Sequence, residues 1–303
     1  MMTDVQKTEI VKTINAAITR FGSANKFAIN CGVSAATLSQ MRNCEWENIS
    51  VGMWQKVAAK SGYSYSTWNI AETTNYKLVQ KVLNEAKEEC LFVPISYPAG
   101  SGKSAGLKAW IRNNPSFNFY VECKEWGKRD FLKNLITQLG MELPRTYATL
   151  DMLTNIVINF FIERRDYKPT LILDQANSLS PTALKVIIHI FNALEDEMSL
   201  IICGTENLKK TIDAGVKYNK DGYDEISSRF GRKFIQLLGA HKKDVALICE
   251  ANGVFDKKLH TAIFNECEPK QKKIGTQFIP VVEDMRRLKR IIKREQIKSK
   301  DIV

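Results

Sequence analysis

The sequence predicts an α/β fold: a five-stranded parallel sheet, with an all-α region before it and a helical region after it. Three observations carry this. Short β-rich, mostly apolar runs at residues 91–96, 117–123, 170–174, 199–203 and 233–237 alternate with stretches of helical periodicity, the pattern of strand–helix–strand units. Thr8 to Thr67 carry helical spacing only, and the pattern is again helical from Gly239 to the end. The chain therefore divides into residues 1–70, 71–239 and 240–303.

A lead-in helix is expected from the spacing of Leu78, Val82, Leu83 and Ala86, followed by a buried strand at Leu91 to Ser96. In the last region Met285, Leu288 and Ile292 form an apolar stripe opposite Arg287, Arg290 and Arg294, which predicts a basic amphipathic helix.

The 303 residues are 44% hydrophobic, ordinary for a chain that buries a real core, and the net charge is +11. From Lys270 onward eleven Lys or Arg face four acids, so most of the excess is C-terminal and a polyanionic partner is expected. Seven cysteines never occur as C-x-x-C and sit among apolar residues, which reads as small core side chains in a reducing compartment. The first residues form no hydrophobic signal region and no apolar run is long enough to span a bilayer, so a cytoplasmic protein without a membrane partner is expected.

The first strand is followed by Tyr97-Pro98-Ala99-Gly100-Ser101-Gly102-Lys103-Ser104, with Ala105 in the opening turn of a helix. Glycines at 100 and 102 let successive N–H groups turn toward phosphate oxygens, and the helix N-terminus adds positive potential. Residues Pro98 through Ala105 are thus candidate contacts for a nucleoside triphosphate, most simply ATP with Mg2+. Lys103 would reach the β and γ phosphates and Ser104 would ligate the metal. Tyr97 stands where this motif usually begins with glycine.

The apolar run Thr170 to Leu173 ends in Asp174, 71 residues after Lys103, as expected of a second magnesium ligand acting through water. Gln175 follows, where a glutamate that polarises the attacking water would be usual. An amide positions water without accepting its proton, so hydrolysis is expected to be slow or served by another group. Thr205, at the end of the next strand, is a candidate sensor of the γ phosphate. Arg229, chosen over Arg232 in Ser228-Arg229-Phe230-Gly231-Arg232, is a candidate finger toward a neighbouring subunit's nucleotide.

Between Lys26 and Asn43 the sequence has a helix-turn-helix layout, with Gly32 at the turn and Phe27, Cys31, Val33, Leu38 and Met41 as its small core. Ser34, Thr37, Ser39 and Gln40 would face outward toward duplex DNA. Seven basic against five acidic side chains in residues 1–75 make this a thin electrostatic footprint, and a protein-contact bundle is the alternative.

In their order, these motifs resemble the AAA+ target-selection ATPases of transposition, the family of the phage Mu B protein. The resemblance implies a P-loop AAA+ domain that assembles with ATP into a helical filament or ring on double-stranded DNA and recruits a transposase. It also implies a second arginine sensor at Arg286. The glutamine at 175 departs from that family's glutamate. Lys124, Lys128, Arg129, Lys209 and Lys210 are candidate backbone contacts for DNA, whose binding would be salt-dependent and largely sequence-independent. Helicase loaders share the nucleotide core, and a transcription regulator with an ATP-binding switch is a further alternative.

Overall fold

The computed structural model describes residues 2, 4–63, 68–274 and 276–301; Thr67, the expected end of the helical head, lies outside them. Four helices form that head: α1 (Asp4–Phe21), α2 (Ala24–Cys31), α3 (Ala35–Arg42) and α4 (Val51–Ser61). Ile10, Ile14, Ala17 and Phe21 line one face of α1 and close over Phe27, Leu38, Met41, Trp54 and Val57. The Ser23, Ser34 and Ser50 hydroxyls cap α2, α3 and α4 by accepting the N–H three residues on.

Next come α5 (Thr74–Glu88), β1 (Phe92–Ser96), α6 (Lys103–Asn113), β2 (Asn118–Glu122), α7 (Lys128–Gln138), α8 (Leu150–Ile162) and β3 (Thr170–Asp174). They continue into α9 (Pro181–Leu184), α10 (Val186–Leu194), β4 (Ser199–Gly204), α11 (Glu206–Lys217) and α12 (Tyr223–Arg229). The sheet is parallel with order β1-β4-β3-β2. Every residue of β3 and β4 is buried, which is why their middles, Leu171 to Leu173 and Leu200 to Cys203, are apolar on both faces. The head docks on the β2 side: Phe21 meets Phe119 edge-on at 5.7 Å, and Asn30 Nδ2 donates to the Gln138 carbonyl at 2.8 Å. One apolar core runs through both.

The C-terminal region comprises α13 (Lys242–Ala251), α14 (Lys257–Glu266), β5 (Lys270–Ile274), β6 (Gln277–Val281) and α15 (Met285–Asp301). Leu288, Ile291 and Ile292 of α15 are buried against Val245, Ile263 and Phe264.

Two expectations are corrected. The sheet has four strands, because the expected fifth at 233–237 makes only a single parallel bridge, Ile95 with Ile235. The next donor from the β1 side would come from Pro98, which has no N–H, and the Leu237 carbonyl accepts from Lys272 Nζ at 2.8 Å instead. The C-terminal region is not all helical, since β5 and β6 form an antiparallel hairpin. Among the described residues no helix is long and apolar enough to cross a membrane.

Candidate nucleotide-binding site

The loop from Tyr97 to Gly102 leaves the end of β1 and turns into α6. Gly100 and Gly102 have φ of 84° and 88°, a region that glycine occupies freely, and no side chain caps the first N–H groups of α6. These groups are the donors a phosphate needs. The Lys103 ammonium is buried and donates to the carbonyls of Tyr97 at 2.7 Å and Pro98 at 2.8 Å, and to Ser101 Oγ at 3.2 Å. Desolvation pulls its pKa below the ordinary lysine value, with Arg286 opposing the charge and Asp174 favouring it. Reaching a phosphate means exchanging one of those loop contacts for a stronger, charged acceptor. Ser104 is half-buried, Pro98 partly covered, and Ala99 and Ala105 exposed.

Asp174 ends β3 almost fully buried. Its Oδ2 accepts the Tyr120 hydroxyl at 2.5 Å and its Oδ1 accepts the Gln175 N–H at 2.9 Å. Each oxygen keeps a lone pair, enough to hold a magnesium-bound water. Among the described residues no cluster of three or more His, Cys, Asp or Glu could hold a metal. A hydroxyl and one carboxylate beside phosphate oxygens suit Mg2+, which keeps several waters, better than an all-protein cage would.

Gln175 sits in the left-handed region at φ 56°, with its side chain turned to Glu122 Oε1 at 2.7 Å. Thr205 is placed by Asn177, whose Oδ1 accepts the Thr205 N–H at 2.9 Å, and the Thr205 side chain does not cap α11. Arg286 lies in the first turn of α15, close enough to Lys103 to depress its pKa.

Arg229 is held within its own protomer: Nη2 donates to Asn192 Oδ1 at 2.6 Å, Glu225 lies at 3.2 Å, and the guanidinium covers the Phe191 ring. Arg232 grips Asp224 with two hydrogen bonds of 2.7 and 3.2 Å.

The candidate DNA contacts fall into separate groups. Ser39 and Gln40 are exposed on α3, whereas Ser34 and Thr37 engage each other at the helix start, Oγ to Oγ1 at 2.8 Å. Lys124 is exposed and Lys128 half-buried. Arg129 donates to the Ala148 carbonyl at 2.6 Å and covers Tyr147, which makes it a tether for the loop before α8. Lys209 pairs with Asp213 and Lys210 with Glu206 along α11. All seven cysteines are free thiols; six are buried as expected, burial pushing Cys31 and Cys123 up to about 12, whereas Cys44 is exposed and corrects the expectation that all are core side chains.

Sequence reasoning missed four parts of the site. Tyr97 is a latch: its hydroxyl donates to Glu283 Oε1 at 3.1 Å and accepts from Lys272, whose ammonium also lies 4.0 Å over the ring. The hairpin is thereby fastened to the phosphate loop. The α15 start closes on the same loop, with the Met285 N–H donating to the Gly100 carbonyl at 2.8 Å. A Cβ on Gly100 would lie 2.6 Å from Asp284 Oδ1.

The third part is a cleft of about 280 Å³, lined by Trp68, Ile70 and Tyr76, by Gly102 and Ala105 of the loop region, and by Met285 and Leu288. Its linker wall is held to α13 by Asn69 and Asn252, which exchange hydrogen bonds of 2.9 and 3.0 Å. Its apolar lining beside the loop suits a planar base. Tyr120 and Glu122, at the end of β2, complete the set.

Residues 86–212 match the family model described as AAA domain. The match covers the phosphate loop, Asp174, Gln175 and Thr205, and stops before Arg229 and Arg286. Cdc6p from Pyrobaculum aerophilum superposes with a TM-score of 0.53 at 14% identity, over 77% of this chain and 63% of that one. The Orc1 protein of Aeropyrum pernix, solved in complex with DNA, gives 0.50 at 13% identity over 78% and 63%. This chain thus spans less than two thirds of either structure. These likenesses establish the α/β AAA+ P-loop fold with its four-stranded parallel sheet. Comparison with curated proteins finds no matching sequence.

Proposed function

We propose that this chain is an ATP-dependent, DNA-binding AAA+ protein that assembles on duplex DNA and serves transposition target selection by recruiting a transposase. The observation that carries the reading is the seating of the C-terminal region on the phosphate loop. Tyr97 is fastened to Glu283 and Lys272, and Gly100 to Met285. A nucleotide that enters the loop must displace or tighten these contacts, so the position of α15 and of the hairpin answers to the nucleotide. That is what nucleotide-conditioned assembly requires.

In this reading the N–H groups of residues 100–104 and the Lys103 ammonium bind the β and γ phosphates, and the cleft beside Trp68 and Leu288 takes adenine. Ser104 and Asp174 hold Mg2+, which when bound offsets charge on the phosphates. Thr205 and Arg286 contact the γ phosphate from within the protomer. Arg229, released from Asn192 and Glu225, reaches it from a neighbour. Ser39 and Gln40 of a helix-turn-helix head, with Lys124, Lys128, Lys209 and Lys210, are the proposed DNA contacts. The compartment is the cytoplasm.

A second reading, a DNA-bound initiator or helicase loader, is favoured by the likeness to the Orc1 protein solved with DNA. Electron microscopy with long random-sequence duplex, with and without a non-hydrolysable ATP analogue, tests the assembly. Continuous ordered coverage only with nucleotide is expected, and its absence removes the proposal. Co-purification with a transposase rather than a replicative helicase separates the two readings.

A further inference from the structure

The end of β2 brings a carboxylate to the place where β3 has only an amide. Glu122 pairs in register with Asp174, and Glu122 Oε1 accepts the Gln175 Nε2 hydrogen bond at 2.7 Å. Tyr120, two residues earlier and so on the same face of the strand, reaches Asp174 at 2.5 Å. Glu122 therefore emerges on the face of the sheet that carries the Asp174 side chain. Its other oxygen, Oε2, lies 3.5 Å from Lys108 Nζ on α6, the helix that begins at the phosphate loop. About half of the Glu122 side chain is open to water, at 48% exposure, so a water can lie against it.

A surface acid paired with Lys108 would need no further partner. The Gln175 amide nonetheless spends its donor on Glu122, from a backbone held at φ 56° with its N–H on Asp174. An amide cannot take a proton from water, whereas a carboxylate oriented by that amide can.

We propose that Glu122 is the catalytic base of ATP hydrolysis in this chain and that Gln175 is its positioning residue, an inference that rests on the ATPase reading above. In the step, the water oxygen forms a bond to the γ phosphorus. The bond from that phosphorus to the β–γ bridging oxygen breaks, and its electron pair leaves with ADP. The water's proton passes to the Glu122 carboxylate and then to the released phosphate.

The test measures ATP turnover in the presence of duplex DNA, with nucleotide affinity and melting temperature recorded on the same samples. Glu122→Gln is expected to lose turnover by at least about 100-fold with affinity and melting nearly unchanged. The exchange variant Glu122→Gln with Gln175→Glu, which restores one carboxylate and one amide in contact, is expected to recover most of it. Turnover of Glu122→Gln within about threefold of the unaltered chain overturns the base, while DNA assembly of the unaltered chain still stands or falls separately by microscopy. An exchange variant no faster than Glu122→Gln overturns the pairing with Gln175. An unaltered chain that binds ATP on DNA without hydrolysing it overturns the inference and leaves an assembly switch without turnover.

Discussion

Helices α3 and α6 both open at a tight turn, yet they treat their first backbone N–H groups in opposite ways. At α3 the Ser34 hydroxyl accepts the Thr37 N–H at 3.0 Å and bonds its hydroxyl as well. At α6 the cap is Gly102, no side chain reaches the N–H groups, and a buried ammonium lies alongside. A helix start whose cap side chain takes one of its donors offers a partner fewer backbone groups and no charge beside them. One that leaves them open beside a cation offers a concentrated positive field and selects an anion. The ligand class at α6 is therefore written in the backbone, whereas at α3 it depends on what Ser39 and Gln40 meet.

The largest effect expected from this contrast is at Lys103. Lys103→Ala should lower ATP affinity by roughly 100-fold or more and abolish ATP-dependent assembly on DNA, because the field loses its buried ammonium. Titration with a fluorescent ATP analogue measures it, and unchanged affinity would remove the difference between the two helix starts. Gly100→Ala comes next. The residue has φ 84° and its Cβ would lie 2.6 Å from Asp284 Oδ1, so a loss of about 1–3 kcal/mol in stability is expected. Pairing it with Asp284→Ala should recover the steric part, as read by thermal melting. Asp284 Oδ1 also accepts the Arg286 and Arg287 N–H groups, so Asp284→Ala is measured alone as well, and a double variant whose loss equals the sum of the two single losses would mean that the Gly100→Ala cost lies in the backbone alone.

Tyr97→Phe should be milder. Removing the hydroxyl deprives Glu283 and Lys272 of a shared partner, at about 1–2 kcal/mol. If the latch couples loop to hairpin, assembly on DNA should fall more than nucleotide affinity does. Equal losses in both would reduce Tyr97 to a packing residue.

How far the molecule was legible follows from how local each feature is. β3 and β4 could be read directly because burial on both faces demands apolar residues through their middles, Leu171 to Leu173 and Leu200 to Cys203. The glycine turn at 100–102 was legible because its shape is set within a few residues. The segment 233–237 misled because its apolar character suits a sheet edge, while Pro98 brings no N–H to extend the ladder and Lys272 takes the Leu237 carbonyl. The hairpin was hidden because β5 reads Lys270-Gln271-Lys272-Lys273, with no apolar alternation, and is held instead by contacts such as Lys272 with Tyr97. Glu122, the cleft beside the loop and the α15 contact with Gly100 are assembled from segments tens to more than two hundred residues apart, so no spacing along the chain announces them.

The smallest effects belong to α3, where they separate stability from recognition. Ser34→Ala removes the cap and should cost about 1 kcal/mol of stability. Any loss of DNA affinity in that variant would follow the loss of fold. Gln40 is exposed and lies on the same short helix, so Gln40→Ala should leave melting unchanged within about 0.5 kcal/mol. If the head reads DNA through α3, Gln40→Ala should still weaken binding several-fold on duplex DNA at low salt, with a similar loss on unrelated sequences. If its affinity equals that of the unaltered chain while Lys124→Ala weakens binding, the DNA path runs along the AAA+ core. The α3 face would then take no part in DNA binding, and Ser34 would serve the helix alone, as acceptor of the Thr37 N–H.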